Sequence, residues 1–241
     1  MSRGSGKQRI NAQPAFVLHQ HPYRETSRLL DVFSRDHGRL TIYARGVQRP
    51  GSQIRSVLLG FQPLLLSWFG AGELKTLHSA VWQPGLSQLS GLPLLCGFYI
   101  NELLQRFCPK EEPNSALFTA YFEAIKALSL IGSSTVEPIL RQFERQMLDC
   151  LGYGCHWNLE AHSNRPLDLT LKYEFKYGHG LVRSVSSDAC PAPLILAFDA
   201  ADFSNEQVLP WAKLWMRQAI SELLGDASLH TRQLLLDLQK L

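Results

Sequence analysis

Thr26–Val47 reads TSRLLDVFSRDHGRLTIYARGV, and this stretch decides the fold. Two runs rich in β-formers flank Asp36-His37-Gly38, where Gly38 can supply the positive φ of a tight hairpin turn. Side chains alternate across a strand, so in the second run Leu40, Ile42 and Ala44 share one face. Arg39, Thr41, Tyr43 and Arg45 share the other. With the apolar face turned into a barrel, an Arg-Thr-Tyr-Arg face is left outside. Such a face can hold phosphates and stack bases, as single-strand binders do. The plainer reading is a solvated strand with ordinary surface arginines. It loses ground because Arg24, Arg28, Arg35, Arg49 and Arg55 lie close in sequence.

Further strand-like runs lie on either side: AFVLHQ before the hairpin, QPLLLSWFG and ELKTLHSAVW after it. Gly70-Ala71-Gly72 reads as a second tight turn. Five short strands with one longer basic connection, QRPGSQIRS, suit a five-stranded OB-fold barrel over residues 14–82. The connection is expected to be a flexible loop whose Arg49 and Arg55 close over a bound strand. Phe16, Phe33, Phe61 and Trp68 are expected in the barrel core, and Tyr23 in an exposed turn.

From Pro93 the period changes to that of helices. LPLLCGFYINELLQRF is apolar nearly all round, and SALFTAYFEAIKAL and VEPILRQFERQMLDCLGY carry stripes at helical spacing. Gly152 closes the third helix. Residues 154–200 read as loops with a short hairpin in LKYEFKYGHGLVRSV, and two helices follow near 205–224 and 230–240. The predicted class is therefore α+β: a flexible tail 1–13, the nucleic-acid-binding barrel 14–82, and a mainly α-helical domain 93–241 with an irregular insert near 154–200. The linker 83–92 is short, so the two parts are expected to pack together.

The net charge of +3 hides an asymmetry. Residues 1–80 hold eleven of the 24 Lys and Arg against four of the 21 acids, a net of +7, and the remainder is net −4. Nine of those eleven are arginine, which grips phosphate bidentately. An anionic partner for the first half follows. With no long apolar run and no secretory leader, a cytoplasmic, nucleoid-associated location without a membrane is expected.

Chemistry-bearing motifs are sparse. GSGK at 4–7 lacks the rest of a phosphate loop. His19 and His21 face one side of a strand, but two ligands do not make a zinc site. Cys150, Cys155, His156, His162 and Cys190 lack the C-x-x-C spacing of structural zinc, so neither metal nor cofactor is expected. No catalytic constellation stands out, and the chain is read as a non-enzyme. Arg141 and Arg145 lie one helical turn apart, with Glu137 placed to pair with Arg141 at i,i+4. They make either a solvated helix face or a basic rim for an acidic, hydrophobic peptide.

The segments TSRLLDVFSRDHGRLTIYARGV, FQPLLLSWFGAGELKTLHSA, YINELLQRF and LRQFERQMLDCLGYG together resemble the RecO family of bacterial DNA repair proteins, over most of residues 14–155. The resemblance implies an N-terminal OB-fold, a C-terminal helical domain, binding of single- and double-stranded DNA, and annealing of complementary strands. The implied partners are RecR, in some members RecF, and the acidic C-terminal tail of single-stranded DNA-binding protein. The implied outcome is loading of RecA onto coated single strands. Many members carry a four-cysteine zinc module after the third main helix. Here YGCHWNLEAHSNRPLD and DACPAP lack the paired cysteines, which leaves the fold of 154–200 open. An RNA- or ribosome-associated OB-fold protein is the alternative with the same basic face.

Overall fold

The computed structural model describes residues 9–131, 135–203 and 205–233. The chain folds as two compact units, Met1–Gly132 and Ser133–Leu241.

In the first unit the strands are β1 (Arg9–Tyr23), β2 (Ser27–Ser34), β3 (Gly38–Ala44), β4 (Leu64–Phe69) and β5 (Leu74–Trp82), with helix α1 (Gln53–Val57) between β3 and β4. They close into a barrel in the order β1-β2-β3-β5-β4. Only the β3–β5 pairing is parallel among the barrel's pairs. That closure is the OB-fold. β1 makes it possible by pairing with β4 through its first half and β2 through its second, bending at two register shifts. The alternation read from β3 holds: Leu40, Ile42 and Ala44 are buried, and Arg39, Thr41 and Tyr43 lie on the outer side. Leu30, Val32, Leu64, Leu66 and Trp68 join the interior core.

Residues 9–13, read above as tail, are strand, because Arg9 and Ile10 pair with Phe69 and Trp68. Residues 1–8, including GSGK, lie outside the described residues, as does the helix expected near 230–240 beyond residue 233. The basic connection is not simply a loop, since Gln53–Val57 forms α1. Ile54 and Val57 pack against the barrel core and anchor it.

Helices α2 (Gly91–Phe107) and α3 (Ser115–Leu130) lie in the same compact unit as the barrel. The reason is aromatic. Phe16 and Phe33 are buried outside the barrel, where both rings meet Phe118 and Tyr121 of α3 at 4.9–6.1 Å. Burying each phenyl ring contributes about 2–3 kcal/mol. Asn101 of α2 donates to the Leu18 carbonyl (2.9 Å) and accepts from the Tyr121 hydroxyl (2.8 Å), so the polar groups in this seam are satisfied. Phe61 likewise packs against α2, edge-on to Phe98 at 5.2 Å. Of the four aromatics expected in the barrel core, Trp68 alone lies inside it.

The second unit contains α4 (Glu137–Cys150), a small sheet of β6 (Lys172–Lys176), β7 (Gly180–Ser184) and β8 (Cys190–Pro191) in the order β7-β6-β8, and helices α5 (Ala192–Asp199) and α6 (Val208–Leu224). The expected hairpin is β6–β7, and the helix near 205–224 is α6. Helix α5 begins within DACPAP, a segment that reads as loop in the sequence. Its Pro191 and Pro193 suggest irregular chain, yet a proline in the first turn is compatible with a helix start. Trp157 fixes this part of the chain. Its ring meets Phe175 (4.9 Å), Phe198 (4.8 Å) and Trp215 (5.0 Å), drawing β6, α5 and α6 around one indole.

Candidate nucleic-acid interface

The arginines expected to share one surface fall into two groups. The first gathers where the β1–β2 turn meets the β3–α1 connection. Gln48 N–H donates to the Thr26 carbonyl (2.9 Å), and Gly46 N–H to Ser27 Oγ (3.4 Å), so Arg24, Arg45 and Arg49 are held at one end of the barrel. Gly46 has φ +69, and its Cα side faces the Arg49 side chain, which folds back over the turn. α1 follows directly, with Ser52 N–H on the Arg49 carbonyl (3.1 Å), and brings Arg55 to the same end. Arg24, Arg45, Arg49 and Arg55 are all exposed. Among the described residues, none of the four has an acidic partner within ion-pair distance.

Two tyrosines lie within this group. Tyr23 and Tyr43 meet edge-to-face at 5.7 Å, Arg24 lies over the Tyr23 ring at 5.3 Å, and the Tyr43 hydroxyl bonds Ser27 Oγ at 3.0 Å. From the sequence Tyr23 reads only as an exposed turn residue. The turn brings it beside Tyr43, a neighbour twenty residues away in sequence that spacing does not reveal. Arg28 is half-buried and donates to Gln20 Oε1 (2.7 Å). It supports the cluster more than it faces outward.

The second group lies at the other end of the β2–β3 hairpin. Six residues of strand place Arg39 about 20 Å from Arg45. Arg39 is not free. It pairs with Asp31 (3.2 Å) and donates through Nε to the Cys108 carbonyl (3.1 Å), and both side chains of the pair are only 15% exposed. Gln105 adds a bond to the same Asp31 oxygen (2.9 Å). The segment after α2 covers this end: Glu111 N–H reaches the Arg39 carbonyl (2.7 Å), and Lys75 pairs with Glu111 (2.9 Å). Gly38, at φ +65, has Glu112 backbone packed so close that a Cβ there would collide with it. Arg35 is exposed but paired with Asp36 at 2.9 Å. The Arg35 side-chain hydrogen bond holds the Asp36 carboxyl below its ordinary range.

In the second unit, Arg141 and Arg145 face inward partners. Arg141 pairs with the buried Glu144 (2.7 Å), while Glu137, the expected partner, pairs with Lys213 of α6 (2.7 Å). Arg145 donates to the Phe198 and Asp199 carbonyls (2.7 Å each) and to Asp199 Oδ1 (2.8 Å), and lies over the Phe198 ring. It therefore caps the C-terminus of α5, where orphan carbonyls and the helix dipole favour a cation. Both arginines are legible in the sequence as cations on a helix. Their partners lie on helices distant in sequence or on the buried side of the same one.

The His19 and His21 rings lie 4.2 Å apart, tilted by 41°. Partial burial, and then the neighbouring His21, lower the His19 pKa. Among the described residues, no three His, Cys, Asp or Glu side chains converge to hold a metal ion. Burial pushes the thiols of Cys108 up to about 11 and of Cys155 and Cys190 up to about 12, so none is a nucleophile near neutrality. No described helix is long and apolar enough to cross a membrane.

Fold and cation cluster together define an OB-fold protein with a basic rim at one end of its barrel and helices packed on its flank. The family profile described as "Recombination protein O N terminal" matches residues 9–84, and that described as "Recombination protein O C terminal" matches residues 89–224. The chain is similar to the DNA repair protein RecO of Aromatoleum aromaticum, 44% identical over 98% of this chain and 100% of the relative. It is also similar to that of Nitrosospira multiformis, 42% identical over 98% of each chain. A third relative, from Azoarcus sp. strain BH72, is 41% identical over 98% of this chain and 99% of its own. The chain belongs to the RecO family of DNA repair proteins.

Proposed function

We propose that this chain is a non-enzymatic mediator of recombinational repair in the cytoplasm, at the nucleoid. It binds single- and double-stranded DNA, anneals complementary strands, and helps RecA load onto single strands coated by single-stranded DNA-binding protein. The observation that carries the reading is the exposed set Arg24, Arg45, Arg49 and Arg55 at one end of the barrel, none in an ion pair among the described residues. Annealing brings two repelling backbones together, and unpaired arginines supply the neutralisation this needs. Tyr23 and Tyr43 within the cluster add a place for an unstacked base. RecR, and in some members RecF, are the partners that family membership supports. For Arg141 and Arg145 to meet the acidic tail of single-stranded DNA-binding protein, each would have to give up the internal partner described above.

Fluorescence anisotropy with labelled single-stranded DNA tests the grip. Four arginines on phosphates give a plot of log affinity against log salt a slope of about −3. A slope near zero overturns the reading. Single-stranded RNA of equal length competing as well as DNA would instead favour an RNA-associated role. Adding the acidic tail peptide to the same assay shows whether the partner tail binds alongside DNA.

A further inference from the structure

The same end of the barrel carries an aromatic surface that the arginine grip does not use. β5 runs parallel to β3 but extends well past it, ending at Trp82, and packs against α1, the helix that bears Arg55. Trp82 is 48% exposed and Phe98 is 45% exposed. A large exposed aromatic is ordinarily mobile, but here each ring is held. The Trp82 indole N–H donates to Oε1 of Gln62 (3.1 Å), a buried side chain, and the following Gln83 N–H is fixed on the Pro63 carbonyl (2.9 Å). Phe98 packs edge-on against Phe61, the residue before Gln62. The indole's only polar group is thus satisfied within the protein, and its exposed part is apolar ring.

We propose that Trp82, with Phe98 beside the Phe61–Gln62 segment, is a stacking platform for the unpaired bases of a single strand whose phosphates the arginine cluster holds. The inference rests on the DNA-binding reading and deepens it. A preorganised ring loses little freedom on binding and accepts any base, since every base offers a π-face. Bases inside a duplex are stacked on one another and cannot reach it. The exposed arginines at this end form no ion pair among the described residues, so the surface as a whole fits a ligand with alternating anionic and planar aromatic groups. An apolar protein surface matches only half of that.

The test uses the full chain with oligo-dT and with a duplex of equal length. All five tryptophans lie in the described residues: Trp82 is the exposed one, Trp211 is half-buried, and Trp68, Trp157 and Trp215 are buried. Intrinsic fluorescence is expected to be quenched by oligo-dT and not by the duplex, and Trp82→Phe to abolish the quench while keeping most of the affinity. Trp82→Ala is expected to weaken oligo-dT binding by roughly tenfold, the loss of one stacked base, with duplex affinity and salt slope unchanged. Unchanged oligo-dT affinity in Trp82→Ala overturns the platform, and so does an equal loss for both ligands. A wild-type dimer that Trp82→Ala disperses in sedimentation would assign the surface to a second copy instead. If the wild-type chain shows no salt-dependent binding to either ligand, the underlying DNA reading fails too, which separates the two failures.

Discussion

Arg39 lies on β3 and Arg45 directly follows its last residue, both carrying the same charge, and the structure predicts opposite consequences for removing them. Arg45 is exposed, with no acidic partner among the described residues, in the cluster of four. If each of the four meets one phosphate, raising salt from 50 to 200 mM weakens single-strand binding about 50-fold, since the slope is about −0.7 per contact. Arg45→Ala lowers that factor to about 18-fold, and removing Arg24, Arg45 and Arg49 together lowers it to about threefold. None of these changes takes away an internal ion pair, so the melting temperature should hold. Arg39→Ala does the reverse. It deletes the Asp31 pair and the bond to the Cys108 carbonyl, and leaves a mostly buried carboxylate with Gln105 alone on its Oδ2. A loss of about 2 kcal/mol is expected from removing one partner of such a pair. That corresponds to a drop of about 6 °C in melting temperature for a chain of this size. Anisotropy at four salt concentrations and thermal denaturation of both variants settle the matter. Should Arg39→Ala flatten the salt slope as Arg45→Ala does, at an unchanged melting temperature, the division of the arginines into two groups is wrong.

Arg145→Ala removes the cation from the end of α5 and is expected to cost about 2 kcal/mol of stability, read as a lower urea midpoint, with single-strand affinity unchanged. Loss of DNA binding without loss of stability would instead place Arg145 on the DNA. Alkaline pH supplies a further prediction. The thiols of the buried Cys108, the half-buried Cys155 and the buried Cys190 have folded pKa values raised above the ordinary 9.0, to about 11, 12 and 12. Below pH 9 the thiols are protonated folded or unfolded, and their contribution is fully present. As pH rises through 9 towards 11–12 the unfolded thiols ionise first, and stability falls. Cys155→Ala should flatten that fall in urea titrations between pH 8.5 and 10.5, and an identical pH profile for the variant would refute the assignment.

The barrel and the basic charge of its half of the chain are legible in the sequence alone. Strand alternation in GRLTIYARG is a local property fixed by backbone geometry, and it alone places Leu40, Ile42 and Ala44 inside. The concentration of arginine in the first eighty residues likewise needs no fold to be seen. Whether an arginine is available is a different kind of fact, because it depends on what lies opposite. Arg39 meets Asp31 on the neighbouring strand and a carbonyl 69 residues away, Arg145 meets a helix end more than fifty residues away, and Tyr23 meets Tyr43 only after the chain has turned. Burial of Phe16 and Phe33 under α3 is hidden for the same reason: the sequence reads both as barrel core, and only the fold shows them on the outer face against a helix. Period and composition are written along the chain. Pairing is decided across it, where only the tertiary structure brings a cation to its carboxylate or leaves it free for a phosphate.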